Sequence, residues 1–310
     1  MAYGSVFDNV EKNNIVKRIL KALDALRVRD VYIMPDAYGI GLRALEDIDV
    51  NVEANLLEME YKGTADDSQR AAEIMAGLDV ACIITLGSDG TNRLVAKACG
   101  DTPLLPISTG TNNVFPFMIE GALAGMAAGI LATSAYPRCQ TLRQMPGLEI
   151  YRDDTLLDIA LIDIAVTDDS YVGAKAVWEV DSLKEIFLSR SSSSNIGLSS
   201  MGGLLGMIPD GESKGTYMRV GPGKFDVLAP IAPGVIERIP IASYRQFNSH
   251  NAITIDNDSG SMIALDGERE ITVFEGEQLT VRLNPAGPWI VDIDSVLSIS
   301  SINKQWIAYS

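Results

Sequence analysis

The stretch that decides the fold runs from Cys82 to Val95, CIITLGSDGTNRLV. An apolar run too short for a helix stops at Gly87-Ser88-Asp89-Gly90-Thr91, and apolar residues then resume at helical spacing. This pattern predicts a buried strand, a tight glycine turn and a helix from about Asn92 to Ala98. In a parallel α/β sheet, ligands bind beyond the carboxyl ends of the strands, where a turn entering a helix aims backbone N–H groups at the crevice. Gly87 and Gly90 let a phosphate approach closely, with Gly90 expected at positive φ, and Asp89 is placed to hold Mg²⁺ or a reacting hydroxyl. A strand–turn–helix junction built for stability alone uses the same residue types. A second turn of this kind, PISTGTNNVFP from Pro106 to Pro116, predicts that Thr109, Gly110, Thr111, Asn112 and Asn113 reach the same edge.

Outward from these turns, helix and strand alternate. VEKNNIVKRILKALDAL, ADDSQRAAEIMAG and IEGALAGMAAGILATS read as helices, and VYIMPD, LLEMEY and TPLLPIS as strands, which predicts a parallel α/β domain over residues 1–142. From about Arg143 the chain changes to short alternating runs punctuated by DD, PG and DG, which predicts an all-β sandwich over 143–290, with 291–310 the candidate to return to the first domain. The serine- and glycine-rich SRSSSSNIGLSSMGG reads as a mobile loop between strands.

Composition narrows the chemistry. The 310 residues carry 25 basic against 41 acidic side chains, a net charge of −16, which argues against nonspecific binding to nucleic acid or anionic membranes. The single histidine, His250, rules out a multi-histidine metal site and leaves chemistry to carboxylates and backbone. Cys82, Cys99 and Cys139 have no metal-ligand spacing and read as reduced, partly buried thiols. With neither a membrane span nor a signal peptide in evidence, the expected location is the cytoplasm.

GSDGT followed by PISTGTNN, then a β domain carrying LDGE, resembles the superfamily of NAD kinases and diacylglycerol or sphingosine kinases, whose signature is GGDGT. MPDAYGIG, TLGSDGTNRLVAK, DTPLLPISTGTNNVFP and YVGAKAVW together are most similar to the ATP-NAD kinase-like AcoX proteins of acetoin catabolism. The resemblance implies a phosphofructokinase-like α/β domain, a β-sandwich and a nucleotide cleft between them. It also implies ATP or NAD as ligand with Mg²⁺, a small-molecule substrate and assembly into homodimers or tetramers. Asp89 matches the acidic residue of GGDGT, and Asp266, Gly267 and Glu268 match the DGE element of lipid kinases, where a tight hairpin turn is the competing reading. Two departures weigh against NAD phosphorylation. Ser88 replaces the second glycine, and the Asn-Glu pair that holds the dinucleotide has Asp163 as its nearest counterpart. Lys175 in VGAKAVW is a candidate cleft charge, or else a solvated strand lysine. These features leave two functions open: a kinase of a small soluble metabolite, or a nucleotide-binding regulator without turnover.

Overall fold

Asp8 opens the first helix, its carboxylate accepting the Glu11 N–H at 2.8 Å, and α1 spans Asn9–Ala25 with Ile15, Ile19 and Leu23 on its buried face. The chain then alternates through β1 (Asp30–Ile33), α2 (Ile40–Glu46), β2 (Glu53–Leu56), α3 (Asp66–Gly77), β3 (Ile83–Gly87), α4 (Asp89–Ala96), β4 (Leu104–Ser108) and α5 (Gly121–Thr133). A short α6 (Arg138–Thr141) and β5 (Leu142–Gln144) close this part. β1 pairs in parallel with β2, and β3 with β4. The α/β architecture with a parallel sheet read from the sequence is the one observed.

Beyond β5 the chain is built almost wholly of antiparallel strands: β6 (Gly147–Arg152), β7 (Thr155–Ala160), β8 (Asp163–Thr167) and β9 (Leu183–Leu188), then, after α7 (Ser199–Leu204), β10 (Lys214–Ala232), β11 (Val235–Asn248), β12 (Ile253–Thr254), β13 (Ser261–Leu265), β14 (Glu268–Val273) and β15 (Leu279–Asn284). They form two sheets, ordered β11-β10-β9-β8-β13-β14 and β12-β15-β6-β7. Leu148 and Ile150 of one and Ile164, Phe187 and Ile263 of the other share a core, which makes a sandwich. The DD, PG and DG signals each join two strands: Asp153-Asp154, Pro233-Gly234 and Asp266-Gly267 lie between the paired residues Arg152 and Thr155, Ala232 and Val235, and Leu265 and Glu268.

The chain then adds β16 (Trp289–Val291) between β4 and β5, parallel to the first and antiparallel to the second, and α8 (Ile293–Ile302) follows it. The structure is a computed structural model that describes residues 4, 6–168, 180–207, 214–255 and 260–303. They divide into an α/β unit of Val6–Gly110, Pro116–Met145 and Pro288–Ser310 and a β unit of Met1–Ser5, Thr111–Phe115 and Pro146–Gly287.

Three local expectations are corrected. The strand expected at LLEMEY lies earlier, at Glu53–Leu56, because its register is set by β1, Asp30 pairing with Glu53 and Ile33 with Leu56. α4 begins at Asp89 rather than near Asn92, so Gly90 sits in the first helical turn and not at positive φ. The serine-rich stretch joins β9 to β10 and is a loop only in its first part, since Ser199 to Leu204 form α7, with Ser199, Ser200 and Met201 buried. Small side chains let this turn press on its neighbours; a Cβ on Gly203 would fall 2.1 Å from the Ser193 nitrogen.

Candidate functional site

β3 has buried Ile83, Thr85 and Gly87 on one face and half-buried Ile84 and Leu86 on the other, with half-buried Cys82 just before it. It ends at Gly87, Ser88 follows in extended conformation, and α4 starts at once. A Cβ on Gly87 would lie 2.7 Å from the Thr91 Cβ, so the turn is as tight as glycine permits. Two side chains within the motif hold it. The Thr85 hydroxyl donates to Asn92 Oδ1 at 2.6 Å, and Asn92 Nδ2 donates to the Ser88 carbonyl at 2.8 Å. Asn92 is fully buried. The sequence reading passed over both residues. Their signal was a lone polar residue in the apolar run and an asparagine one helical turn after Ser88.

The pairing of β3 with β4 sets Gly87 opposite Ser108, so the first turn and the start of the second emerge side by side at the carboxyl edge. Ser108 Oγ donates to the Gly110 carbonyl at 2.8 Å, and the Phe7 N–H donates to the Thr109 carbonyl at 2.8 Å. Thr109 is buried. The structure thus gathers Gly87, Ser88, Asp89, Gly90, Thr91, Thr109 and Gly110 in the α/β unit, while Thr111, Asn112 and Asn113 belong to the β unit. Asp89 is half-buried in the first turn of α4. The first N–H groups of a helix have no acceptor within it and carry the positive end of its dipole, so this edge suits an anionic oxygen.

Asp163 and Asp266 lie in the β unit. The Asp266 carboxylate accepts the N–H groups of Leu161 at 2.8 Å, Ile162 at 2.7 Å and Asp163 at 3.2 Å. Asp266 and Gly267 have φ of 50° and 82°, the two positive values that a type I′ hairpin turn requires, and Glu268 opens β14. Lys175 lies outside the described residues. His250 is exposed, its N–H donating to Asn248 Oδ1. Burial pushes the Cys82 thiol up to about 12 and Cys99 to about 11, so both stay protonated at neutral pH. Among the described residues no group of three His, Cys, Asp or Glu side chains could hold a metal ion, and no helix is long and apolar enough to cross a membrane.

Residues 7–134 match the ATP-NAD kinase N-terminal domain, so the α/β unit with its glycine turns is NAD kinase-like. Residues 146–286 match the C-terminal domain of acetoin catabolism protein X. Acetoin catabolism protein X of Cupriavidus necator is 36% identical over 288 residues, which cover 88% of this chain and 80% of that protein. The chain belongs to the acetoin catabolism protein X family. Among solved structures, yeast NADH kinase complexed with NADH matches at 11% identity and a TM-score of 0.47, over 96% of this chain and 85% of that one.

Proposed function

We propose that the protein is a cytoplasmic phosphotransferase that moves the terminal phosphoryl group of a nucleoside triphosphate to a hydroxyl of a small soluble metabolite. The observation that carries this reading is the pairing of Gly87 with Ser108, which sets two glycine-containing turns and the acidic first turn of α4 on one sheet edge. Backbone N–H groups at that edge position the phosphates, with Ser88, Thr91 and Thr109 supplying hydroxyl donors. Asp89 orients the acceptor hydroxyl. The acceptor oxygen forms the new O–P bond while the bond from the γ-phosphorus to its bridging oxygen breaks. The nucleoside diphosphate leaves with that electron pair, and the hydroxyl proton passes to the Asp89 carboxylate.

A single carboxylate fits a metal that arrives with its nucleotide, because Mg²⁺ is commonly held by one or two carboxylates plus substrate phosphates. Asp89 would be that donor, and bound Mg²⁺ supplies charge neutralisation. Thr111, Asn112, Asn113, Asp163, Lys175, Asp266 and Glu268 remain candidates for contacts to nucleotide or acceptor, and a homodimer or tetramer is the proposed assembly. A regulator that binds ATP or NAD without turnover is the second reading, favoured by Ser88 in place of glycine and by the missing Asn-Glu pair.

Phosphoryl transfer from ATP to a panel of small alcohols and NAD tests this, with Asp89→Asn beside wild type. The kinase reading expects turnover to fall by about 10²–10⁴, the span for losing a general base, with metal-free nucleotide binding intact or tighter. Tight nucleotide binding by the wild type with no transfer to any acceptor would favour the regulator.

A further inference from the structure

The α/β unit holds a cavity of about 550 Å³ where its strands are not continuous. β1 pairs only with β2, and β3 is the edge of the sheet β3-β4-β16-β5, so among the described residues no pairing joins β1 to β3. The cavity lies between them, walled by Ile19 and Leu23 of α1, Met75 of α3, Leu78 just after it and Ala128 of α5. Along β3 its lining runs from Cys82 through Ile84 to Leu86, and along β1 it runs to Met34. Four strand steps at roughly 3.3 Å make a channel about 13 Å long.

Three features give it a direction. Cys82, Ile84 and Leu86 are apolar yet only half-buried, although a central parallel strand is ordinarily covered on both faces. The volume falls within the roughly 300–1,000 Å³ of small-molecule sites. At its carboxyl end, Leu86 leads directly into Gly87 and Asp89. Met34 leads into a loop fixed by Asp36, whose carboxylate accepts the N–H groups of Tyr38 and Ile40, both at 2.9 Å.

We propose that this channel binds the body of the acceptor, which is an alcohol carrying an unbranched apolar chain, with its hydroxyl at the Asp89 end. The inference rests on the phosphotransferase reading for the hydroxyl's role; the channel itself is tested by binding. Apart from Asp30 and Asp79 at its amino end, the side chains that line the slot are almost all apolar, which favours an aliphatic chain over a second nucleotide, whose ribose and phosphates would lose their hydration there.

The test is calorimetric titration with 1,2-butanediol, 1,2-hexanediol and 1,2-octanediol, on wild type and on Ile84→Trp, which fills the channel. Wild-type affinity is expected to rise about fourfold per methylene, the effect of burying about 0.8 kcal/mol of apolar surface each time. Ile84→Trp should lose the chain-length dependence while keeping the thermal shift given by ATP. Should that variant fail to fold, methyl NMR of the wild type decides: 1,2-octanediol should shift the Met34 and Leu86 methyl signals, which line the channel, and leave those of Ile263 in the β unit unchanged. Affinity independent of chain length, or Met34 and Leu86 methyl signals that do not move, overturns the proposal. Diol binding with the expected slope but no ATP shift would keep the channel and remove the kinase reading, whereas an ATP shift without diol binding would do the reverse.

Discussion

Asp266 shows how one residue's part in the molecule depends on residues far away in sequence. Its DG dipeptide was legible as a hairpin because Asp and Gly tolerate the two positive φ values such a turn needs. Nothing local announced that its carboxylate would gather three N–H groups at the β7–β8 corner, more than a hundred positions earlier. Asp266→Ala should leave those donors without their acceptor and cost roughly 1–3 kcal/mol, read as a lower urea midpoint at unchanged slope. An unchanged midpoint would mean that water replaces the carboxylate at no cost. Asp89 is the opposite case, since its place at the strand–helix junction follows from the apolar run before it and the glycines beside it. Asn92 was missed because its bonds to Thr85 and Ser88 form only once strand and helix meet.

Helix α5 carries glycine at every fourth position, Gly121, Gly125 and Gly129, and lays that stripe on α1. A Cβ on Gly125 would stand 2.7 Å from the Ile19 carbonyl oxygen and 2.8 Å from the Ala22 Cβ. Gly125→Ala therefore gains up to about 1 kcal/mol of helix propensity but loses about 1–3 kcal/mol to overpacking against backbone, and the net change in denaturation midpoint should be downward. Gly77→Ala, at the end of α3 with nothing within 4 Å of its Cβ, should move it upward instead. At the other end of the unit, Asp292 caps α8 by accepting the Ser295 N–H at 3.2 Å and takes an ion pair from Arg143 at 2.5 Å. Burial alone would raise this carboxyl, but the Arg143 and Ser295 bonds outweigh it and hold the pKa below the ordinary value. A depressed folded pKa stabilises above the unfolded value of about 3.9 and loses that stabilisation as pH falls through the lower folded one. The stability gap between wild type and Asp292→Ala, about 1 kcal/mol at pH 7 for a lost cap, should therefore shrink below pH 4 in denaturation curves. Helices and hairpins were readable at this scale because apolar period and turn chemistry are local. β2 lies off its expected place and α7 stands where a loop is expected because strand register and close packing by small residues are set by neighbours distant in sequence.

The change from alternating helix and strand to hairpins was legible along the whole chain, since it is written in periodicity. The strand that completes the first sheet was harder to read, because Trp289-Ile290-Val291 is too short to show a period and its place between β4 and β5 depends on both partners being present. That arrangement has a consequence for folding. The α/β unit cannot close its sheet until residues beyond the β unit have been made, because β16 and α8 supply Ile290, Val291, Ile293 and Val296, all buried. At roughly 1.5–3 kcal/mol per buried aliphatic side chain, these four account for about 6–12 kcal/mol, comparable with the 5–15 kcal/mol that holds a typical domain together. Deleting residues 288–310 should therefore unfold the α/β unit while leaving the hairpins of the β unit formed. Hydrogen exchange read peptide by peptide distinguishes the outcomes: protection should vanish across β3, β4 and α5 and persist across β6, β8, β13 and β15. Protection retained in β4 after the deletion would mean that the glycine turns stand on a sheet stable without its last strand.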